Sequence, residues 1–267
     1  MSMTNFLLNR ESVREFKNKE LKADVIYDIE ASIKKIEAEI GAERDVHFKF
    51  IEDGKSLYEG LKDLGGYAGV MIESPHYIVL RTAGDDGAKI AGAYYMEKLI
   101  TELQGSNLGT CWVTVKGVAE NDKAKFLGTE NKTADFLLAI GSEKLRNPFA
   151  REVFSGRKEV QEIVFKNSFD EKVDLDQLEE RGLLDLFYYI RFAPSTKNLQ
   201  PWRFLIKDNK VELYLLKDVM EEYGVTDAGI IMYYYEELAK MINLDKKWKL
   251  VDFEEVDGLV KIGETSL

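Results

Sequence analysis

The chain has 267 residues, of which 45% are hydrophobic and 32% charged, and its formal net charge is −11. This length and composition are typical of a globular protein with one large domain or two smaller ones. The negative charge argues against nucleic acid or an anionic membrane as a partner. A phosphate-bearing ligand would therefore need a local cluster of basic side chains.

Cysteine and histidine are scarce: Cys111 is the only cysteine, and His47 and His76 are the only histidines. A single cysteine allows no internal disulfide and favours a reducing cytoplasm. So few thiols and imidazoles argue against a zinc-type metal site. Neither a serine nor a histidine lies in a nucleophile elbow, which argues against a Ser-His-Asp hydrolase. No apolar run is long enough for a membrane helix, and the N-terminus lacks the pattern of a signal peptide.

The first motif along the chain is Asn9-Arg-Glu-Ser-Val-Arg-Glu-Phe16. In an extended segment alternate residues face the same way, so Arg10, Ser12 and Arg14 would converge on one point. Two guanidinium groups and a hydroxyl would bind a phosphate group there. Short arginine-rich runs are, on the other hand, usually solvated turns, and the residues alone leave this alternative open.

The pattern that follows predicts helices and strands in turn. Isoleucine and valine residues near 3.6 spacing predict an amphipathic helix over residues 22–40, and loose alternation predicts a strand over 45–51. A proline followed by an apolar run predicts a buried strand over 74–80, and a long helix is predicted over 86–103. His76 is more typical of a packing residue at the strand edge than of a catalytic residue.

A glycine-containing segment, Leu108-Gly-Thr-Cys-Trp112, follows the long helix. Gly109 would let the backbone pass close to another group, although a helix end followed by a strand is the better explanation of the segment taken alone. Cys111 is predicted to be a packing residue, because nothing basic beside it in the sequence would lower its pKa. A buried strand is then predicted over residues 136–141, and three basic residues follow it: Lys144, Arg146 and Arg151.

The most distinctive stretch is Ala193-Pro-Ser-Thr-Lys-Asn-Leu-Gln-Pro-Trp-Arg-Phe204. Pro194 and Pro201 both stop a helix and stiffen the backbone, and the residues between them are rich in hydrogen-bond donors and acceptors. Rigid polar loops of this kind often hold ligands. The same side chains could instead satisfy the backbone of a plain helix-to-strand connection.

The motif Ala-Pro-Ser-x-x-Asn-x-Gln-Pro-Trp-x-Phe resembles the flavin-contacting loop of the FMN-dependent nitroreductase family. Arg-x-Ser-x-Arg-x-Phe is similar to that family's N-terminal phosphate-binding motif, and Leu-Gly-Thr-x-Trp to the segment after its central helix. The resemblance implies that FMN is bound through Arg10, Ser12, Arg14, Gly109, Thr110, Pro194, Ser195, Thr196, Asn198 and Gln200. It also implies that one of Lys144, Arg146 and Arg151 reaches the FMN phosphate, without saying which.

The two halves of the chain follow the same plan. Residues 156–163 align with residues 9–16, but an acidic residue, Glu159, stands where the first copy has Ser12. A carboxylate at that position repels phosphate, so we expect no phosphate site in the second copy. The first half, in turn, lacks a Pro-Ser-x-x-Asn loop, which ordinary members of the family carry near the N-terminus.

The resemblance therefore implies an α+β fold of two diverged repeats, residues 1–154 and 155–267, each with a central antiparallel sheet flanked by helices. Family members are homodimers with FMN at the interface, where one subunit supplies the phosphate-binding motif and the other the loop. Because this chain keeps one copy of each, we expect a monomer that acts as an internal pseudo-dimer with one flavin site.

The implied function is that of a cytoplasmic oxidoreductase that uses NAD(P)H to reduce nitro compounds, quinones or related small-molecule electron acceptors. The flavin would carry the redox chemistry, so the protein would need no catalytic acid or base of its own. The loss of one of two sites leaves a second interpretation open, a non-catalytic FMN-binding protein that senses or stores flavin.

Overall fold

The computed structural model describes residues 3–8, 10–41, 44–66, 70–104, 106, 108–144 and 156–267. The chain divides into two compact units: Leu8–Arg151, called the first unit here, and Met1–Leu7 with Glu152–Leu267, called the second unit. The domain boundary between residues 154 and 155 stays a prediction. None of the helices in the described part of the chain combines the length and the apolar character needed to span a membrane.

Helix α1 (Met3–Leu8) is the first element described. The first unit then has a sheet whose strand order is β1-β2-β4-β3 and in which all neighbours are antiparallel. Its described strands and helices are α2 (Ala23–Ile40), β1 (Val46–Ile51), α3 (Gly54–Leu61), β2 (His76–Thr82), α4 (Asp86–Gln104), β3 (Gly109–Thr114), α5 (Glu120–Leu127) and β4 (Phe136–Gly141). The helix predicted over 22–40 and the strand predicted over 136–141 are confirmed.

Both faces of this sheet are buried. Successive residues of a strand face opposite sides, and Ile78 and Leu80 lie in a core cluster with residues of α2 and α4. Tyr77 and Val79 lie in a second cluster, on the side of α3 and of the residues before α2. This is why β2 has a continuous apolar run rather than an alternating one.

The second unit has a mixed sheet with the strand order β6-β5-β7-β8-β10-β9. Its described elements are α6 (Val160–Ile163), β5 (Val164–Lys166), β6 (Ser168–Lys172), α7 (Leu175–Glu180), α8 (Leu184–Ile190), β7 (Trp202–Lys207), β8 (Lys210–Leu216), α9 (Lys217–Tyr223), α10 (Thr226–Lys240), β9 (Lys249–Val256) and β10 (Leu259–Ser266). Strands β5 and β7 are parallel, and the other neighbours are antiparallel. The predicted central antiparallel sheet is confirmed for β7-β8-β10-β9. At one edge β5 is parallel to β7, because the chain between them passes through β6, α7 and α8 and so crosses over.

Four strands of the second sheet, β7-β8-β10-β9, repeat the order and the antiparallel senses of β1-β2-β4-β3. Helices α9 and α10 connect β8 to β9, at the place where α4 connects β2 to β3. Where the first unit has α3 and α5, the second has tight turns. Asp208, Asp257 and Gly258 occupy these turns with φ of 50°, 51° and 75°, values that two-residue hairpin loops require. The second sheet thus has the same four-strand arrangement as the first, with two shorter connections and two added strands.

Candidate functional site

The Arg10–Phe16 segment is extended and lies beside β3. Ser12 forms a parallel bridge with Thr110, and Val13 N donates to Thr110 O over 2.9 Å. A Cβ atom at Gly109 would lie 2.8 Å from three side-chain carbons of Val13. The close approach that the sequence predicted at Gly109 therefore exists, and its partner is Val13.

The end of the same segment pairs with the residues after β4. Lys17 N donates to Ser142 O over 2.9 Å, and Lys144 N donates to Glu15 O over 3.0 Å. The N-terminal motif and the basic residues after β4 are far apart in the sequence. This pairing brings Arg14, the last basic residue of the motif, and Lys144, the first of the three basic residues after β4, to one place.

A cavity of about 600 Å³ lies at this place. Its volume is within the range of small-molecule sites, about 300–1,000 Å³. Two carboxylates line it, Glu15 and Glu73, against four basic residues: Arg14, Lys17, Lys55 and Lys144. In a chain of net charge −11, this local excess of positive charge favours an anionic ligand.

The cations of this cavity are loosely held. Lys144 Nζ is 3.8 Å from Glu15 Oε2, and both side chains are mostly exposed. Among the described residues, the hydrogen bond of the Arg14 guanidinium is a long one, 3.4 Å from Nη1 to Ser12 O. Exposed pairs of this kind contribute little to stability, about 0–1 kcal/mol, so binding of an anion would displace little that stabilises the fold.

Arg10 does not line the cavity, because Glu97 of α4 binds its guanidinium group. Arg10 Nε donates to Glu97 Oε2 over 3.0 Å and Nη2 to Oε1 over 2.9 Å. Trp112 Nε1 donates to Glu97 Oε1 over 2.7 Å. The Arg10 and Glu97 side chains are only 6% and 1% exposed. This buried network fixes the Arg10–Phe16 segment to α4, and direct contact of Arg10 with phosphate stays a prediction.

Cys111 lies in the core cluster of the first unit, as expected for a packing residue. Burial raises the pKa of its thiol, while Arg14 and Arg10 act in the opposite direction. The two arginines act on this thiol because the Arg10–Phe16 segment runs alongside β3, a proximity that the sequence did not show. Burial is the larger influence, so the thiol stays protonated and unreactive.

In the second unit, residues Pro194–Gln200, called the Pro194–Gln200 loop, contain a 3-10 turn at Thr196–Asn198. Lys197, Asn198 and Gln200 have φ of 50°, 58° and 49°. Such left-handed conformations are uncommon outside glycine and accumulate at functional sites. Gln200 N donates to Ser195 Oγ over 3.0 Å, which closes the loop on itself.

The amide side chains of the loop bind the segment before α6. Asn198 Oδ1 accepts a hydrogen bond from Arg157 Nη1, and Asn198 Nδ2 donates to Gly156 O over 2.9 Å. Gln200 Oε1 accepts from Lys158 N over 2.9 Å. These contacts favour the alternative in which the loop satisfies itself and its neighbours, and contact of the loop with a flavin stays a prediction. Arg157 Nε is buried and has no hydrogen-bond partner among the described residues.

Asp227, the second residue of α10, is fully buried and binds the start of the loop. Thr196 N donates to Asp227 Oδ1 and Oδ2 over 3.0 and 3.2 Å, and Thr196 Oγ1 donates to Oδ1 over 3.1 Å. Burial raises the pKa of the Asp227 carboxyl to about 6, and the bonds from Thr196 offset part of that rise. The carboxylate is therefore held in the protein interior by a single residue of the loop.

Comparison with known proteins identifies the family. No curated protein matches the chain, but the family model described as "Putative TM nitroreductase" matches residues 3–239. The chain belongs to this nitroreductase family. A solved structure described as a "putative nitroreductase" from Thermotoga maritima is 16% identical, covers 98% of this chain and 93% of its own, and has a TM-score of 0.60. At that identity the likeness concerns the fold.

Two other solved structures have lower scores. A nitroreductase with bound FMN from Bacteroides fragilis is 13% identical and covers 58% of this chain and 95% of its own, with a TM-score of 0.46. A structure described as a "putative NADH oxidase" from Clostridium acetobutylicum is 19% identical and covers 59% and 96%, with a TM-score of 0.44.

The sequence-based prediction of the nitroreductase family is thus confirmed, and the two groups of predicted residues fall in different units. Arg10, Ser12, Arg14, Gly109, Thr110 and Lys144 belong to the first unit, and Pro194, Ser195, Thr196, Asn198 and Gln200 to the second. Arg146 and Arg151 lie outside the described residues. Sequence reasoning missed Lys17 and Lys55 at the cavity and Asp227 behind the loop, because no local pattern marks a single charged residue as part of a site.

Proposed function

We propose that this nitroreductase family member binds FMN and uses NAD(P)H to reduce nitro compounds, quinones or related small-molecule electron acceptors. One observation carries the proposal. Residues 15–17 pair through the backbone with residues 142–144, and this pairing brings Arg14 and Lys144 together at one basic cavity. The family resemblance assigns the motif that contains Arg14, and the basic residues after β4 that include Lys144, to binding of the flavin phosphate.

The cavity matches a phosphate group in charge. A phosphomonoester carries close to two negative charges at neutral pH, and the cavity has an excess of two basic over acidic residues. Arg14 offers a planar fork suited to two phosphate oxygens, and Lys144 offers a point charge. We place the FMN phosphate between them, with Arg146 or Arg151 as further candidates.

For the ring we propose the Pro194–Gln200 loop, whose Pro194, Ser195, Thr196, Asn198 and Gln200 match the family's flavin-contacting motif. The loop is held by its own hydrogen bonds and by those to the segment before α6, and groups that are held in place orient a ligand with little loss of entropy. Gly109 and Thr110 would act by fixing the Arg10–Phe16 segment beside β3.

We further propose that residues 1–154 and 155–267 are diverged repeats that form a monomeric pseudo-dimer with one flavin. The common strand order β1-β2-β4-β3 and β7-β8-β10-β9 supports a duplication. So does the buried glutamate at equivalent places of α4 and α10. Glu97 accepts from the Trp112 side chain, and Glu236 accepts from the Trp248 backbone N–H over 3.0 Å.

In this proposal the bound flavin supplies hydride transfer, and the chain binds and orients it. Arg14 and Lys144 hold the phosphate end. Glu97 holds Arg10, which keeps the segment that carries Arg14 against the sheet. No described residue needs to donate or remove a proton. The single cysteine agrees with an enzyme of the reducing cytoplasm.

Flavin titration tests the binding half of the proposal. Arg14→Gln and Lys144→Gln should each weaken FMN binding by about 1.5–3 kcal/mol, roughly 10- to 150-fold, because each removes a charged hydrogen bond to phosphate. Riboflavin lacks the phosphate, so its affinity should change little. Lys116→Gln, at an exposed position that does not line the cavity, is the matched control. Equal losses for FMN and riboflavin would show that the cavity does not bind the phosphate.

Anaerobic stopped-flow reduction tests the catalytic half. NADH or NADPH should reduce the bound flavin faster than it reduces free FMN, and a nitroaromatic compound or a quinone should reoxidise it. If FMN binds but neither nucleotide accelerates its reduction, the chain is a non-catalytic flavin-binding protein instead.

A further inference from the structure

The start of the Pro194–Gln200 loop depends on one carboxylate. Thr196 gives Asp227 both its backbone N–H and its hydroxyl, at 3.0–3.2 Å. Thr196 in turn supports the turn that follows, because Leu199 N donates to Thr196 O over 2.9 Å and Asn198 N donates to Ser195 O over 3.0 Å. The position of Asp227 thus sets the position of the residues that the motif contributes.

Asp227 has no cation to balance it among the described residues. Burial and the bonds from Thr196 are the influences on its ionisation, and no neighbouring charge contributes. The basic groups close to the loop are engaged elsewhere, since Lys197 Nζ donates to Tyr223 Oη over 2.8 Å and Arg157 donates to Asn198. The N-terminus of α10 offers only the partial positive charge of a helix dipole.

A buried carboxylate without a cation is costly for the fold. An asparagine at the same place could accept a bond from Thr196 N–H without that cost. The presence of the acid therefore needs a reason other than stability. While the loop is closed, a charged acceptor forms shorter and stronger hydrogen bonds than a neutral one, although its ionisation also makes opening of the loop easier.

We propose that Asp227 is a positioning residue that fixes Thr196, and through it Ser195 and Asn198, in the geometry in which the loop holds the flavin ring. The inference rests on the proposed function for its purpose, but the contact itself can be measured without flavin. Asp227 touches no reacting atom and acts only through Thr196.

Hydrogen exchange of the Thr196 amide in the flavin-free protein is the direct test. In the closed loop the carboxyl has a pKa of about 6, against an ordinary 3.8 in water. When the loop opens, water reaches the Asp227 carboxyl, so ionisation of this carboxyl favours the open loop. After correction for intrinsic rates, wild-type exchange should rise by up to about 100-fold between pH 4 and pH 8.

Two variants distinguish the effect of the negative charge from the effect of having a hydrogen-bond acceptor at this position. Asp227→Asn keeps an acceptor without a charge, so Thr196 should stay protected with no dependence on pH. Asp227→Ala removes the acceptor, so Thr196 should exchange fast at every pH. Asp218→Asn, an exposed acid of α9, should behave as wild type. Exchange of β8 in the same unit serves as the check that each variant is folded.

The same variants loaded with FMN test whether Asp227 positions the loop for the flavin ring. Asp227→Ala should slow flavin reduction at least 10-fold and change FMN affinity less than 3-fold, because the proposed phosphate site lies in the first unit; Asp227→Asn should recover part of the rate. If the wild type binds no flavin, the proposed function fails and the exchange data still decide the contact. If all variants exchange Thr196 alike, or if Asp227→Ala reduces its flavin at the wild-type rate, the positioning role is refuted.

Discussion

Replacing Glu97 by glutamine should destabilise the first unit by about 3–5 kcal/mol, the cost of removing one partner of a buried ion pair. Two hydrogen bonds of 2.9 and 3.0 Å join Arg10 to Glu97, and the two side chains are 6% and 1% exposed. Glutamine keeps the shape and still accepts from Trp112, but Arg10 loses the negative charge that pairs with it.

The matched control is the double variant Arg10→Met/Glu97→Gln, which removes both charges and keeps the bond from Trp112. Replacing both members of a buried pair is often close to neutral, so the double variant should be more stable than Glu97→Gln alone. Arg10→Met alone should cost as much as Glu97→Gln, because it leaves the carboxylate buried without its cation.

Unfolding in urea, followed by pulsed hydrogen exchange, measures the two units separately. Peptides from β3 and β4 report the first unit, and peptides from β7 and β8 provide an internal control that should not change. A cost below 1 kcal/mol for Glu97→Gln, or a double variant whose cost is the sum of the two single ones, would refute the reasoning. FMN binding should also weaken in Glu97→Gln, although Glu97 does not line the cavity, because the segment carrying Arg14 loses its attachment to α4.

Three further predictions concern other parts of the molecule. Gly109→Ala should cost about 1–3 kcal/mol by overpacking, since its Cβ would lie 2.8 Å from the Val13 side chain; adding Val13→Ala should restore part of that loss in a urea titration. Because the folded-state pKa of Asp227 is raised to about 6 from 3.8, its contribution to stability is complete below pH 3.8 and is lost as pH rises through 6. Asp227→Asn should therefore stabilise the second unit by about 3 kcal/mol at pH 8 and hardly at pH 4, as followed by tryptophan fluorescence. Sedimentation together with flavin release should give a monomer with one FMN, and two equivalents of FMN would disprove the single site.

Elements with strong periodicity could be predicted from the sequence almost to the residue. The isoleucines of α2 and the apolar run of β4 decide both structure and burial, because those elements sit in the core. Strands β5 and β6 gave no such signal. They are three and five residues long, and most of β6 is exposed, so their place at the sheet edge is decided by packing rather than by pattern.

For the candidate site, the sequence indicated residue types but not partners. Alternation in Arg10–Phe16 predicted that its polar residues share one side, and the segment is indeed extended beside β3. Nothing local could show that Glu97, distant in the sequence, binds Arg10. Nor could it show that Lys144 pairs with Glu15 through the backbone. The role of Asp227 could not be predicted for the same reason, since its burial depends on how α10 packs in the second unit.

The assignment of the first residues of the chain to the second unit has a consequence for synthesis. Phe6 of α1 is buried against Tyr234 and Tyr233 of α10, with ring centroids 5.3 and 6.3 Å apart. During translation α1 leaves the ribosome before α10, which follows more than 200 residues later. Domains generally fold as units during synthesis, so the first unit can fold before α10 is available to cover the apolar face of α1. The second unit reaches its complete core only after α10 has been synthesised, and a bulky fusion placed directly before Met3 would disturb that step of its folding.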